Sequence, residues 1–496
     1  MQKEGVAMKR YILGIDEGTT SERVILFDTK TNKIVDLDAQ SLQQFYPQNG
    51  WVEHDAEEIW SKVEKSLKTV IKRNRLKVDE IFGIGLTNQR ETTVAFDKTT
   101  GKAICPAIVW QCRRTAPFCE KMDEKTKLSL QKKTGLIVDA YFSATKMKWI
   151  LDNNKLARDL ARKGQLGLCT IDAFLVQKLT QCKVFATDTT NASRTMLVDL
   201  KKPQQFDSSL LEFFDIPASC MPEIKNSADD FGFAKTSIGD IPILSVIGDQ
   251  QASLFGQGCF SSGDAKITYG TGAFVLVNVG QKLPTENNNL LNTVAWTISN
   301  KTTYAVEGSV FNVGSTLNFL KNNLKLFRSY SELDHLCDSI PSNEGVYLIP
   351  AFTGLGAPYW NPQVRGKICG LTLSNTPAHI VRSAMESFCY SVFDIIDYLS
   401  FSGRHVKQIS VDGGVSKSQF LLQFQSNLLQ IPVSKVLNNE STALGAIYLA
   451  GLYSGAYLDF EDIKSKIEIE STTTPSCTKR EMKPLVENWR KYVCER

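Results

Sequence analysis

The chain has 496 residues, of which 42% are hydrophobic and 22% are charged. At roughly 150 residues per domain this length predicts two to four domains, and the composition excludes disordered, collagen-like and disulfide-stapled classes. The 57 basic and 53 acidic residues give a net charge of +4. Because the basic residues are spread along the chain, no nucleic-acid partner is expected.

The twelve cysteines form no C-x-x-C pair and no dense framework, which favours reduced thiols in a cytoplasmic protein. No apolar run approaches the roughly 18 residues of a membrane span, and residues 1–10 lack the apolar core of a signal peptide. The four histidines are far apart in the sequence, so no zinc site is expected. The P-loop, dinucleotide-binding and zincin signatures are also missing.

The first predicted elements are two strands at residues 11–16 and 23–28, which read as a β-hairpin. The turn between them, Glu-Gly-Thr-Thr-Ser at residues 17–21, contains one glycine and three hydroxyl side chains. Its backbone can approach a ligand closely, and its side chains offer small donors. A phosphate cradle and an ordinary hairpin turn both remain open at this point.

A helix is predicted to begin after Asp55, since that residue suits an N-cap and Glu58 follows at capping-box spacing. The next strand, at residues 81–86, ends in the polar cluster 87–92. Ligands of α/β proteins gather at the carboxyl ends of strands. This cluster is therefore a candidate part of a binding site.

The second half of the chain also has strands that end in polar or glycine-rich segments. Two helices with apolar residues at helical spacing are predicted at residues 379–399 and 420–429. Two Gly/Thr turns about half a chain apart indicate two related α/β lobes, 1–255 and 256–496. Three strands end at a carboxylate or a glycine-rich turn: residues 243–248 before Asp249, 265–269 before Gly270-Thr271-Gly272, and 409–412 before Gly413-Gly414.

Asp16 and Asp249 stand at strand ends beside turns rich in glycine and threonine. Phosphoryl transfer needs such an inventory: donors for the phosphates, an acid to hold Mg²⁺ and a carboxylate to receive a hydroxyl proton. Either aspartate alone is as readily a turn former or an N-cap. The combination favours a phosphotransferase.

The chain resembles the FGGY carbohydrate kinase family, and within it the glycerol kinases, over residues 11 to about 453. Residues 141–150 are similar to the family's first signature, and residues 366–386 to its second. The other matching segments are residues 16–21 (DEGTTS), 87–92 (TNQRET), 110–115 (WQCRRT), 248–252 (GDQQA), 269–272 (YGTG) and 350–360 (PAFTGLGAPYW).

The resemblance implies the α/β fold of sugar kinases, Hsp70 and actin, with two ribonuclease-H-like lobes around a deep cleft. It implies a polyol site mainly on the first lobe and a nucleotide site mainly on the second. The implied reaction is ATP-dependent phosphorylation of glycerol to sn-glycerol 3-phosphate and ADP, with Mg²⁺. It also implies a homodimer or a higher homo-oligomer.

Carried over residue by residue, the resemblance makes Asp249 the general base and Asp16 the carboxylate associated with Mg²⁺. The implied polyol-binding residues are Arg90, Glu91, Tyr141, Asp249 and Gln250, with Trp110 and Phe274 as an apolar wall. The implied nucleotide-binding residues are Thr19, Thr20, Ser21, Arg23, Thr271, Gly272, Gly314, Asn318, Gly414 and Ser418.

The chain departs from the family pattern at several positions. Asn318 and Ser418 stand where Gln and Asn are common, which is expected to alter adenine contacts without removing them. Glu17 replaces a usual Gln, and strand alternation predicts that its side chain turns away from that of Asp16. The segment 232–240 is shorter than the loop through which some bacterial members bind fructose 1,6-bisphosphate, which speaks against that regulation. Residues 464–496 are predicted to form a helical tail on the second lobe.

Two rival functions remain open from the sequence. The first is a kinase of the same family acting on xylulose, gluconate or another polyol. The second is an ATPase of the actin or Hsp70 type, acting as a filament or a chaperone. A protein of the second type would lack the polyol-binding residues and the base, and a chaperone would carry a peptide-binding domain.

Overall fold

A computed structural model describes residues 9–284, 289–401 and 403–494. Its elements up to residue 256 are β1 (Tyr11–Glu17), β2 (Ser21–Asp28), β3 (Lys33–Ser41), β4 (Glu53–His54), α1 (Ala56–Arg73), β5 (Ile81–Asn88), β6 (Thr93–Asp97), β7 (Lys102–Ala103), β8 (Ala107–Ile108), α2 (Ala116–Glu120), α3 (Glu124–Thr134), α4 (Ser143–Asn153), α5 (Lys155–Arg162), β9 (Leu166–Thr170), α6 (Ile171–Leu179), β10 (Ala186–Asp188), α7 (Thr189–Ala192), α8 (Ser208–Phe213), β11 (Glu223–Lys225), β12 (Phe233–Thr236), β13 (Gly239–Gly248) and α9 (Asp249–Gly256).

The elements that follow are β14 (Asp264–Tyr269), β15 (Ala273–Gly280), β16 (Leu291–Ile298), β17 (Lys301–Val310), α10 (Gly314–Asn322), α11 (Leu333–Asp338), β18 (Tyr347–Ile349), β19 (Lys367–Cys369), α12 (Pro377–Phe401), β20 (Gln408–Asp412), α13 (Gln419–Leu429), β21 (Val433–Val436), α14 (Ser441–Ser454), α15 (Phe460–Lys464), β22 (Ile469–Thr473) and α16 (Lys479–Cys494). No helix in these described ranges is both long and apolar enough to cross a membrane.

Two large sheets share one topology. The first has the order β12-β13-β5-β1-β2-β3 and the second the order β16-β17-β15-β14-β20-β21-β22. In each, a three-stranded antiparallel meander (β1-β2-β3 or β14-β15-β17) is extended by two parallel strands (β5 and β13, or β20 and β21). This repeated order is the ribonuclease-H-like pattern, so the prediction of two related α/β lobes is confirmed.

Two helices, α9 and α14, lie in the core between the sheets. Helix α14 belongs to the second half of the chain, yet it packs on β1, β5 and β13 of the first sheet as well as on α9. The helices cross at Gly256 and Gly445, where an added Cβ would lie 1.9 Å from a backbone oxygen of the other helix. Only glycine permits so close an approach, so the two lobes share one tightly packed seam.

The predicted local elements are largely present. The hairpin pairs Asp16 with Arg23, and the Asp55 side chain caps α1 by accepting from the amides of Glu57 and Glu58. The Glu58 carboxylate instead pairs with Lys62. The interpretation of 464–496 as wholly helical is wrong, because 469–473 forms strand β22 against β21. Helix α16 packs on the hydrophobic core of the second lobe, as expected. The last two residues lie outside the described ranges.

Candidate active site at the strand ends

The ends of three parallel strands bring four of the predicted catalytic and polyol residues to one edge of the first sheet: Arg90, Glu91, Asp249 and Gln250. Glu17 at the end of β1 pairs with Asn88 at the end of β5, and Asn88 pairs with Gly248 at the end of β13. The polar residues that follow each strand are therefore neighbours. The second sheet faces the same region with the ends of β14 and β20.

Asp249 begins helix α9 and keeps part of its carboxylate open, since 29% of the side chain is exposed. One carboxylate oxygen, Oδ1, lies 3.1 Å from Nε of Arg90, and the other, Oδ2, accepts from Nε2 of Gln250 at 3.2 Å. Both oxygens are thus oriented by neighbouring donors, and the exposed part of the carboxylate is suited to accept a proton from a ligand.

A buried ion network lies behind Asp249 and joins the two sheets. Arg90 donates to Glu307 through Nη1 at 2.6 Å and Nη2 at 3.1 Å, and Glu307 belongs to β17 of the second sheet. Arg194 donates to Glu91 at 2.6 Å and to Glu307 at 3.3 Å. Burial would raise the pKa of Glu307, but the guanidinium groups of Arg194 and Arg90 outweigh it and lower that pKa to about 2.

Glu91 is held in a left-handed backbone conformation with φ of 59°. Its backbone oxygen accepts from Oγ of Ser143 and from Nζ of Lys146, both at 3.1 Å. Lys146 also donates to the backbone oxygen of Tyr141 at 2.5 Å, and burial lowers the pKa of this lysine to about 8. One buried ammonium group therefore anchors two of the predicted polyol-binding residues.

Aromatic side chains connect the predicted apolar wall of the polyol site to the Gly/Thr turn at residues 17–21, the candidate phosphate turn. The Trp110 ring meets the Tyr141 ring edge to face with centroids 5.7 Å apart, and Nε1 of Trp110 donates to Oγ1 of Thr19 at 2.9 Å. Phe274 lies on β15 opposite Thr268 and Ser309. Directly paired residues share a face, so Phe274 faces the same side of the second sheet as these residues.

Asp16 is nearly buried, and burial raises its pKa to about 7 in spite of Arg23, whose Nη1 lies 3.9 Å away. Arg23 is not a solvated charge, because it also binds Glu440 at 2.7 Å. The Glu17 side chain is fully buried and accepts from Nε2 of Gln89 at 2.7 Å, as strand alternation predicts. Of the two carboxylates at this strand end, only that of Asp16 keeps a small exposed fraction.

The donor set around Asp16 fits Mg²⁺ brought in with a phosphate ligand. Among the described residues no group of three His, Cys, Asp or Glu side chains could enclose a metal ion. Mg²⁺ commonly binds through one or two carboxylates, several waters and substrate phosphates. A divalent cation would also compensate the charge of a carboxylate whose burial makes ionisation costly.

Glycine-rich turns of the second sheet bring together four of the ten predicted nucleotide-binding residues. The amides of Val313 and Gly314 donate to the backbone oxygens of Thr271 and Gly270 at 2.9 and 3.0 Å, so the second Gly/Thr turn lies against the start of α10. Gly413, with φ of 92°, packs on the backbone of Tyr269 in front of the exposed Gly414. Thr271, Gly272, Gly314 and Gly414 therefore surround one surface.

Two other predicted nucleotide contacts are engaged within the protein. Asn318 lies one helical turn beyond Gly314 and accepts a hydrogen bond from the hydroxyl of Tyr330. Ser418 caps α13 by accepting from the Leu421 amide at 3.1 Å, and it donates to Asp334. A ligand could contact either side chain only through groups that these internal hydrogen bonds leave free.

Sequence reasoning missed the charged residues that connect the sheets: Arg194, Lys266, Glu307, Asp412 and Glu440. A local signal existed for two of them, since Lys266 lies between Ala265 and Ile267 inside β14, and Glu307 lies between Val306 and Gly308 inside β17. Charges are rarely buried without a partner or a function. Such an isolated charge marks a position whose partner must come from elsewhere in the chain.

Comparisons with known proteins agree along the whole chain. Residues 11–256 match the N-terminal domain of the FGGY family of carbohydrate kinases, and residues 265–453 match its C-terminal domain. The chain is 46% identical over 491 residues to a glycerol kinase of Treponema denticola, covering 98% of this chain and 99% of the relative. It is 43% identical over 491 residues to a glycerol kinase of Alkaliphilus oremlandii, with coverage of 98% and 97%.

Solved structures support the same assignment. The crystal structure of Plasmodium falciparum glycerol kinase with ADP superposes with a TM-score of 0.92 at 33% identity, covering 98% of each chain. A gluconate kinase from Lactobacillus acidophilus superposes with a TM-score of 0.86 at 21% identity, covering 97% of this chain and 98% of the other, which shows the shared fold alone. With both family domains matched and full-length relatives above 40% identity, the chain belongs to the FGGY family of carbohydrate kinases.

Proposed function

We propose that the protein transfers the γ-phosphoryl group of ATP to a terminal hydroxyl of glycerol, giving sn-glycerol 3-phosphate and ADP, with Asp249 as general base. The observation that carries this proposal is the partly open Asp249 carboxylate, held by Arg90 and Gln250 where the two sheets meet. The names of the full-length relatives favour glycerol over the sugars of the more distant kinases.

In the proposed reaction Asp249 receives the proton of the attacking hydroxyl. The hydroxyl oxygen bonds to the γ-phosphorus, the bond from that phosphorus to the β–γ bridging oxygen breaks, and ADP leaves with the bonding electrons. Mg²⁺, held by Asp16 and the phosphates, would neutralise charge on the phosphoryl groups. The contact with Arg90 keeps the Asp249 carboxylate oriented before the proton is transferred.

The proposed polyol site consists of Arg90, Glu91, Tyr141 and Gln250, with Trp110 and Phe274 against the carbon chain. The bonds of Arg90 to Glu307, Gln251 and Asp249 leave one N–H group of Nη2 for a substrate hydroxyl. A site that pairs each hydroxyl rejects an analogue lacking one, because a buried polar group then stays unpaired.

The proposed nucleotide site is formed by two turns. The first, Thr19, Thr20 and Ser21 with Arg23, would hold phosphates, and the second, Thr271 and Gly272, would face it from the other sheet. Gly314, Asn318, Gly414 and Ser418 would line the ADP and adenosine pocket. With this division, residues 1–255 would be the mainly polyol-binding lobe and 256–496 the mainly nucleotide-binding lobe.

The test is ADP release from Mg·ATP with glycerol, dihydroxyacetone, xylulose, gluconate or no acceptor. We expect release that depends on glycerol and falls about 10²–10⁴-fold in Asp249→Asn, while both substrates still bind. Asp240→Asn, on the strand β13 that leads to Asp249 but with 51% of its side chain exposed, is the matched control and should keep full activity. Near-normal turnover of Asp249→Asn would remove the base assignment.

The other outcomes of this experiment identify the rivals. Release that depends on xylulose or gluconate instead of glycerol would place the protein among the other kinases of the family. Equal release with and without an acceptor would mean an ATPase, the second rival. Neither outcome would alter the fold.

A further inference from the structure

Lys266 on β14 is fully buried beside the proposed site, although the reaction as proposed assigns it no role. Its ammonium group donates to Oε1 of Gln250 at 2.5 Å and to Oγ1 of Thr268 at 3.0 Å, and both acceptors are neutral. Burying an ammonium group costs several kcal/mol unless nearby charge compensates it. A lysine in such a position needs an explanation beyond packing.

The charged groups that face Lys266 come from four different elements. Asp412 ends β20, Asp249 begins α9, Arg90 follows β5, and Glu307 lies on β17. The Asp412 carboxylate is itself buried, and its Oδ1 has no hydrogen-bond partner among the described residues. Lys266 is therefore a cation that faces Asp412, and it shares the compensation of Asp249 with Arg90 at the junction of the lobes.

The bond from Lys266 also determines how the Gln250 amide is oriented. An ammonium group can only donate, so it must meet the amide oxygen, and the amide nitrogen then points to Oδ2 of Asp249 at 3.2 Å. The flipped amide would put N–H groups against the ammonium and oxygen against the carboxylate. The chain Lys266–Gln250–Asp249 therefore has one favourable arrangement of donors and acceptors.

We propose that Lys266 is a positioning residue for the phosphoryl transfer, orienting Gln250 so that it holds the base Asp249 and offsetting part of the negative charge of Asp249 and Asp412. This proposal rests on the proposed function of Asp249. Because Lys266 is fully buried behind Gln250, it acts through Gln250 and not by touching a substrate.

The geometry has a consequence for the pH dependence. Burial lowers the pKa of Lys266 to about 8, although Asp412, Asp249 and Glu307 raise it, and Arg90 lowers it further. As the pH rises through about 8, the free enzyme loses this positive charge, so Asp412 loses the cation that faces it and Asp249 keeps only its contact with Arg90. We expect kcat/KM to fall on this basic side.

The experiment compares Lys266→Met with the wild type, Asp249→Asn and the exposed control Lys301→Met by glycerol-dependent ADP release from pH 6 to 10. We expect Lys266→Met to lower kcat about 10- to 100-fold, to leave the KM for ATP within about twofold, and to abolish the basic limb near pH 8. Lys301→Met should match the wild type.

Lys266→Met with the wild-type kcat and pH profile, while Asp249→Asn is inactive, overturns the role of Lys266 and leaves the proposed function standing. A wild type without acceptor-dependent release overturns both. If thermal melting shows that Lys266→Met does not fold, the variant Gln250→Met tests the proposal instead. Gln250 is half-buried and is the middle member of the hydrogen-bond series Lys266–Gln250–Asp249. A similar fall in kcat with the KM for glycerol within about twofold supports the proposal. Unchanged kcat, or a change carried mainly by the KM for glycerol, overturns it.

Discussion

Glu307 provides the sharpest test of the network that joins the two sheets. It is fully buried and accepts from two guanidinium groups, those of Arg90 and Arg194. The change Glu307→Gln keeps the shape and removes the charge. Arg194 would then keep Glu91 as its bonded carboxylate partner, and among carboxylates Arg90 would keep only the contact with Asp249.

The size of the effect follows from the carboxylate itself. Its pKa is about 2 in the folded protein against an ordinary 4.5, and this difference corresponds to about 3 kcal/mol of stability at neutral pH. Removing one partner of a buried ion pair costs about 3–5 kcal/mol in other proteins. The two routes agree, and the loss is a large share of the roughly 5–15 kcal/mol that stabilises a typical native protein.

The assay is urea denaturation followed by circular dichroism at pH 7. Glu307→Gln should lower the free energy of unfolding by about 3–5 kcal/mol, whereas Glu124→Gln, in an ion pair with 82% of the glutamate side chain exposed, should change it by at most about 1 kcal/mol.

The pH dependence has a defined sign. Because the folded pKa of Glu307 is depressed, its contribution is complete above pH 4.5 and is lost as the pH falls towards 2. The difference between the wild type and Glu307→Gln should therefore shrink over that interval. Equal unfolding free energies at pH 7 would refute the buried network and its role in joining the lobes.

Two further substitutions probe the walls of the site by steady-state kinetics. Lys146→Met removes the ammonium donor to the carbonyl groups of Glu91 and Tyr141, of which the first keeps its bond from Ser143, so stability should fall by about 1–3 kcal/mol and the KM for glycerol should rise more than that for ATP. The partly exposed neighbour Lys148→Met is the control, and equal changes in both KM values would contradict the anchoring role. Trp110→Phe removes the bond to Thr19 while keeping a ring, so the KM values for glycerol and ATP should both rise, by about two- to tenfold; an effect on glycerol alone would mean that the bond to Thr19 does not support the phosphate turn.

The sequence predicts well what is coded locally. The hairpin with its Gly/Thr turn, the strand before Asp249 and the Asp55 cap each depend on neighbouring residues, and all are present. The ion network could not be predicted in this way, because Arg90 and Glu307 are 217 positions apart. Local periodicity carries no information about which distant charge will lie opposite a buried one.

The packing position of α14 could not be predicted from local sequence patterns either. Ten of its residues are buried, so the helix has no polar face that would reveal which sheet it packs against. It covers the first sheet although it belongs to the second half of the chain. A linear division into lobes therefore describes the sequence better than it describes the packing.

The crossing of α9 and α14 makes the catalytic geometry sensitive at a distance. Helix α9 starts with Asp249, and α14 directly follows Glu440, which holds Arg23 of the phosphate turn. The backbones are in contact at Gly256 and Gly445, where each residue has only a hydrogen atom as its side chain. The distance between the base and the phosphate turn therefore depends on both positions remaining glycine. A single methyl group there, in contact with no ligand, would act on turnover as if it had been placed in the active site.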